Sequence, residues 1–179
     1  MGIIIFKEVI TLEFHYLTQP PKRYTFEMPK LKLWVESQCK GRVLNLFGGS
    51  TRLRCNEISN DIDINMKTDY HMDVMEFVEK WEGEPFNTVI LDPPYNWRKA
   101  KEKYDGRMIG KYPQLKNKLL NIITKESIVI TFGYDTVGMS KSRGFNKIAI
   151  CLVCHGGDHR DTLCLVEEKI KPKLSLFED

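Results

Sequence analysis

Three short runs decide what this chain can fold into: RVLNLF (42–47), NTVIL (87–91) and SIVITFG (127–133). A strand with one wet face alternates apolar and polar residues. These runs barely alternate, which marks strands buried on both faces of a parallel sheet. Helical stripes separate them. In PKLKLWVESQC (29–39), Pro29 suits a first turn, Leu31, Trp34, Val35 and Cys39 share one face, and Gly41 ends the helix. In DVMEFVEKW (73–81), Val74, Phe77, Val78 and Trp81 recur at helical spacing, with Asp73 as the N-cap. Tyr112, Leu115, Leu119 and Ile122 mark a later helix, and EISNDIDIN (57–65) reads as a second strand ending in acids. Buried strands alternating with helices predict an α/β, doubly wound, mostly parallel sheet. KIAICLVC (147–154) and TLCLVEE (162–168), joined by HGGDHRD, predict an antiparallel hairpin that closes the chain.

The length of 179 residues predicts a single domain over 1–179, with residues 1–29 as an extended lead-in punctuated by prolines. No apolar run approaches the ~20 residues that cross a bilayer, so no membrane association is expected. MGIIIFKEVITLEF at the start is interrupted by acids and reads as a strand, not a signal peptide. With no secretory signal, five cysteines read as reduced thiols, and a cytoplasmic location is expected. The segment CLVCHGGDHRDTLC contains a C-x-x-C-H spacing. On a strand, however, Cys151 and Cys154 face opposite sides of the sheet, so neither haem nor a metal is expected there. Cys151 and Cys164 read as small buried hydrophobes.

Ligands of doubly wound sheets sit at the carboxyl ends of the strands. The candidate loops are therefore 48–54, 61–65, 92–111 and 133–143. Gly48 and Gly49 follow a strand directly, where glycine lets the backbone approach a ligand. Asp61 and Asp63 close the next strand, where a carboxylate can accept the ribose hydroxyls of a nucleoside cofactor. Asp61 is the first choice and Asp63 the reserve. Asp92, Pro93, Pro94 and Tyr95 follow a central strand; two consecutive prolines belong in neither strand nor helix interior. The net charge is only +3, but residues 98–118 hold eight basic residues against two acidic ones, a local excess of +6 suited to phosphates.

In this order the motifs resemble those of the amino-methyltransferases that use S-adenosylmethionine. NLFGG matches their glycine loop, DID the acid after the second strand, YHMD the position near the cofactor's adenine, and DPPY their catalytic tetrapeptide. The chain is similar to a small subgroup of DNA-methyltransferase-like proteins that carry VLNLFxG, then DPPY with a basic stretch, then FGYDTVGMSKSRGF and a final HGG hairpin. The resemblance spans roughly residues 18–169. It implies a Rossmann-like methyltransferase sheet and methyl transfer to an exocyclic base amine, with the 6-amino group of adenine in DNA favoured. The alternatives are the same chemistry on RNA or on the 4-amino group of cytosine, or a nucleic-acid-binding relative without turnover. The resemblance places Asp92, Pro93, Pro94 and Tyr95 in catalysis, and Phe47, Gly48, Gly49, Asp61, Asp63 and Asp73 on the cofactor. Substrate contacts fall to Arg98, Lys99, Lys101, Lys103, Arg107 and Lys111, and to Lys141 and Arg143 in MSKSRG.

One departure stands out. Only eleven residues separate Gly49 from Asp61, too few for the helix that relatives place there as well as a strand. Thr25 and Phe26 of the lead-in, or Arg52, are expected to support the cofactor's methionine end instead. No separate target-recognition domain is expected, so sequence choice would come from loops 96–112 and 139–144, or from a partner or second copy.

Overall fold

Val43 and Leu44 are neighbours in strand β2 (Arg42–Asn45), and they enter different cores. Val89 and Ile90 of β4 (Phe86–Leu91) divide in the same way, as do Val129 and Ile130 of β5 (Ile123–Gly133). That is the burial on both faces that the unalternating runs demand. The computed structural model describes residues 11–93, 112–157 and 159–170.

The seven-stranded sheet has the order β1-β6-β7-β5-β4-β2-β3, where β1 is Glu13–Thr18, β3 Asn56–Ser59, β6 Phe145–Cys154 and β7 Thr162–Lys169. Every pairing is parallel except those of β7, which runs antiparallel between β5 and β6. β6 and β7 are thus the expected hairpin, and β1, from the lead-in, is an edge strand beside β6.

Helix α1 (Pro29–Gln38) buries Leu31 and Val35 against Val43, Ile90, Ile130 and Val153. On the other face lie α2 (Val74–Lys80) and α3 (Tyr112–Leu119), with Phe77, Val78, Leu115 and Leu119 packed against Leu44, Val89, Leu91 and Val129. Fully burying one such side chain contributes about 1.5–3 kcal/mol. Asp73 caps α2 as expected: its Oδ1 accepts the Met75 N–H at 2.9 Å and the Glu76 N–H at 3.4 Å. No described helix is long and apolar enough to cross a membrane.

The chain leaves β2 for β3 on one side, then returns to β4 on the other side of β2. The carboxyl ends of β2 and β4 therefore flank a topological switch point, the position where open α/β sheets bind ligands.

Candidate active site

β2 ends at Asn45, and the backbone turns through Leu46 and Phe47 into Gly48 and Gly49. Gly48 has no room for a side chain: a Cβ would sit 2.9 Å from a Thr68 methyl and 3.1 Å from the Ser59 Cβ. Gly49 adopts a left-handed conformation, φ 57°. Two residues that follow β3 hold this loop from beneath. Asn60 accepts the Gly48 N–H on its backbone oxygen at 2.9 Å, and its side-chain amide reaches Leu46 O at 3.4 Å and Met72 O at 3.0 Å. Asp61 Oδ2 accepts the Gly49 N–H at 3.0 Å, while its Oδ1 accepts the Asp63 N–H at 3.0 Å.

The strand itself stops at Ser59, because Asn60 bridges outward to Tyr70. Asp61 is thus the first acid of the loop and is only 5% exposed. Asp63 is half-buried; its Oδ1 accepts from Asn65 N at 2.9 Å and Asn65 Nδ2 at 2.8 Å. The bridge to Tyr70 brings Thr68 against Gly48 of the glycine loop.

No described helix occupies residues 46–55. Charge holds that segment in place. The Arg52 guanidinium forms two bonds to the Asp69 carboxylate, at 2.8 and 3.0 Å, bonds Ser59 Oγ and lies 3.4 Å from Glu57. That partner pulls the Asp69 carboxyl below its ordinary value. From α1, Lys32 donates to Arg52 O, and Glu36 accepts the Arg54 N–H at 2.7 Å. Arg52, considered above for the cofactor's methionine end, is a structural tie here. The lead-in comes closer. The Tyr24 ring lies against Gly49, within 3.1 Å of where a Cβ would stand. Thr25 is half-buried in a single 3₁₀ turn (Thr25–Glu27), and Phe26 is a core residue, edge-on to Phe132 at 5.9 Å.

Across the switch point, Asp92 and Pro93 leave β4, both half-buried. Asn45 pairs with Ile90, so Asp92 and the start of the glycine loop emerge from neighbouring strands, about 4.8 Å apart in the sheet. Pro94, Tyr95, Arg98, Lys99, Lys101, Lys103, Arg107 and Lys111 lie outside the described residues.

Behind Asp92 is a buried polar wall that the sequence does not announce. The Tyr112 hydroxyl is buried and makes no hydrogen bond to any described residue. Burial, together with the charges of Asp92, Asp135 and Glu167, holds this phenol protonated far above its ordinary range. Lys116 lies over the Tyr112 ring at 4.7 Å and donates to Gly138 O at 2.7 Å; burial and nearby Arg143 push its ammonium down. Glu167 of β7, fully buried, accepts the N–H groups of Met139 and Ser140. Arg143 joins the same loop to α3, donating to Asn117 Oδ1 at 2.7 Å, Met139 O at 3.0 Å and Pro113 O at 3.4 Å. Lys141 is exposed. The helical stripe in the sequence suggested a core role for Tyr112, and Glu167 looked like one acid of a strand; only tertiary packing brings both to this loop.

Neither the family models nor the curated proteins yield a match to the chain. Solved structures do. The chain is similar to yhhF of Escherichia coli, a proposed methyltransferase, at 13% identity and a TM-score of 0.52, over 80% of this chain and 83% of that one. TrmN of Thermus thermophilus matches at 16% identity and a TM-score of 0.56, over 80% of this chain. This chain covers about half of TrmN, 49%. The third is 1,6-didemethyltoxoflavin-N1-methyltransferase of Burkholderia thailandensis, solved with bound 1,6-didemethyltoxoflavin and S-adenosylhomocysteine. It matches at 9% identity and a TM-score of 0.54, over 78% of this chain and 75% of that one. The fold is a Rossmann-like methyltransferase fold. In this chain the glycine loop after β2 and the residues Asp92 and Pro93 after β4 leave the sheet from neighbouring strands at the switch point.

Proposed function

We propose that this chain transfers the methyl group of S-adenosylmethionine to an exocyclic base amine, with the 6-amino group of adenine in DNA as the target. The observation that carries the reading is the emergence of Asp92 and Pro93 beside the glycine loop at the switch point. The loop suits the cofactor: Gly48 leaves no side chain in the way, and Gly49 N–H is oriented by Asp61. A neighbour of like fold is named for N-methyl transfer and holds S-adenosylhomocysteine, the demethylated cofactor.

The acids divide the work. Asp61 is buried with both oxygens on backbone N–H groups, so it acts as scaffold for the loop. Asp63, less buried, accepts the ribose hydroxyls. Phe47 and Asp73 flank the adenine, and Tyr24 with Thr25 closes the methionine end over Gly49. When bound, S-adenosylmethionine supplies an electrophilic methyl group. An aromatic amine is a poor nucleophile because its lone pair is delocalised into the ring. The Asp92 carboxylate and the Pro93 carbonyl accept hydrogen bonds from it, draw the nitrogen toward tetrahedral geometry and free the lone pair for in-line attack. Pro93 and Pro94 keep the carbonyl aimed, and Tyr95 stacks on the flipped base. Arg98 and Lys99 hold its phosphate, and Lys101, Lys103, Arg107, Lys111 and Lys141 follow the strand. Arg143 acts through the loop it ties to α3.

The test is transfer of labelled methyl to DNA, to RNA and to no substrate. Asp92→Ala should slow transfer ~10²–10³-fold, as loss of a preorganised partner does, and leave cofactor affinity within about threefold. A variant with a near-normal rate would refute the mechanism. Labelling of RNA alone would overturn the choice of DNA.

A further inference from the structure

Cys39 caps the C-terminus of α1, where its N–H donates to Val35 O at 3.2 Å and to Glu36 O at 3.3 Å. Cys55 is the residue before β3. Register brings the two together. Arg42 pairs with Asn56 in the parallel ladder of β2 and β3. Cys55 therefore stands beside Gly41, one strand spacing or about 4.8 Å away, and Cys39 lies two residues back, where the chain leaves α1. Two bonds draw the same pieces together: Glu36 accepts the Arg54 N–H at 2.7 Å, and Lys32 donates to Arg52 O. Both thiols are free, half-buried and packed against the core that holds Leu31, Val35 and Val43. The Cys39 thiol donates a hydrogen bond to the Cys55 sulfur.

That bond makes the pair chemically unequal. It lowers the Cys55 thiol from its ordinary 9.0, with help from Lys32 and against burial and the charges of Glu57 and Glu36. The same bond, and then burial, pushes the Cys39 thiol up. The thiolate is the reactive form of cysteine, so Cys55 is the nucleophile and Cys39 the neighbour held in reserve. Cys151 and Cys164 are also adjacent, paired across β6 and β7, but both are fully buried. Burial pushes Cys151 up to about 11 and raises Cys164 as well, so they offer neither thiolate nor access.

We propose that Cys39 and Cys55 form a dithiol site that a peroxide converts to a disulfide, stapling α1 to the segment before β3. The Cys55 thiolate attacks one oxygen of hydrogen peroxide; an S–O bond forms, the O–O bond breaks, and the departing hydroxide takes a proton and leaves as water. The Cys39 sulfur then attacks the Cys55 sulfur. The S–S bond forms, the S–O bond breaks, and the proton from Cys39 leaves with the hydroxyl as a second water. Two thiols are oxidised by two electrons and one peroxide is reduced. The ring so closed runs from 39 to 55 and encloses β2, Gly48 and Gly49. A covalent tie there reinforces a segment that otherwise has no helix and rests on the Arg52–Asp69 ion pair. The site stands independently of the methyl-transfer reading.

The experiment treats the full chain with hydrogen peroxide, maps disulfides by non-reducing peptide mass spectrometry and follows thermal melting. The oxidised chain should lose two of its five thiols and yield the peptide pair joined through Cys39 and Cys55. Its melting temperature should rise by roughly 5–10 °C, as closure of a loop of this size predicts, and dithiothreitol should reverse the rise. Cys39→Ser should leave Cys55 as a sulfenic acid that a dimedone probe labels, whereas Cys55→Ser should leave Cys39 unlabelled. The mapping and the melt need no variant. A bridge found between Cys151 and Cys164, five thiols still titrating after peroxide, or an oxidised chain that melts like the reduced one would overturn the site. A dimedone label on Cys39 in Cys55→Ser would overturn the assignment of the nucleophile.

Discussion

Asp61 and Asp63 lie two residues apart, and the structure gives them different jobs. The Asp61 carboxylate takes the N–H groups of Gly49 and Asp63, so it holds the loop whether or not a ligand is present. Asp61→Ala should lower the stability of the free chain, since hydrogen bonds to a charged group contribute about 1.5–3 kcal/mol each. It should also weaken S-adenosylmethionine binding. Asp63→Ala should weaken binding roughly ten- to a hundredfold and lower the melting temperature less than Asp61→Ala, because the bonds that its Oδ1 accepts from Asn65 are exposed. Calorimetric titration beside thermal melts separates the two; equal melting losses would show that the acids share one role. At this scale the sequence identifies which residues matter but not what they touch. An acid after a strand is legible, and so is a glycine pair. The bond from Asp61 to Gly49 is not, because it joins loops from different strands. Asn60, which ties both loops together, carries no sequence signal beyond being polar.

The loop between β5 and β6 is built as a clamp. Glu167 holds it from β7, while Lys116 and Arg143 tie it to α3. Gly138 is where these ties meet: its φ is 51°, and a Cβ there would overlap the Glu167 carboxylate. Gly138→Ala should therefore cost ~2–4 kcal/mol, from strained backbone plus displacement of Glu167. Urea denaturation measures it; an unshifted midpoint would show that Glu167 does not seat the loop. Elements themselves were readable. The helices at 29–38, 74–80 and 112–119 stand where apolar spacing and the caps Pro29 and Asp73 put them, except that the third stops at Leu119 and leaves Ile122, expected on its stripe, in the turn beyond. The absence of a helix after Gly49 was readable too, since the count of residues forbids it. The ion pair of Arg52 and Asp69 that stands in for it was not, because it joins the segment before β3 to the one after it.

Across the whole molecule, the parallel core of the sheet follows from alternating strands and helices, whereas the insertion of β7 between β5 and β6 is a matter of tertiary pairing that periodicity cannot encode. That insertion has an electrostatic consequence, because it buries Glu167. Burial raises the Glu167 carboxyl above its ordinary 4.5, against the opposing pull of the Met139 and Ser140 N–H groups and of Lys147 and Lys116. A raised carboxyl favours the fold fully below its unfolded value, and that contribution is lost as pH climbs through the raised folded value. Asp69 works the other way. The bond from Arg52 lowers it from an ordinary 3.8, so its contribution is present above that value and fades as pH falls through the lowered one. The two groups should give a stability profile that falls on its acid limb through Asp69 and on the limb toward neutrality through Glu167. Glu167→Gln should be less stable throughout, since an amide can accept only one of the two N–H groups, yet its profile should flatten above 4.5, where the raised carboxyl titrates. Asp69→Asn should flatten the limb below 3.8 and leave the limb above 4.5 alone. Urea unfolding across that range reads both slopes, and variant curves parallel to wild type would show that neither carboxylate sets the pH dependence of the fold.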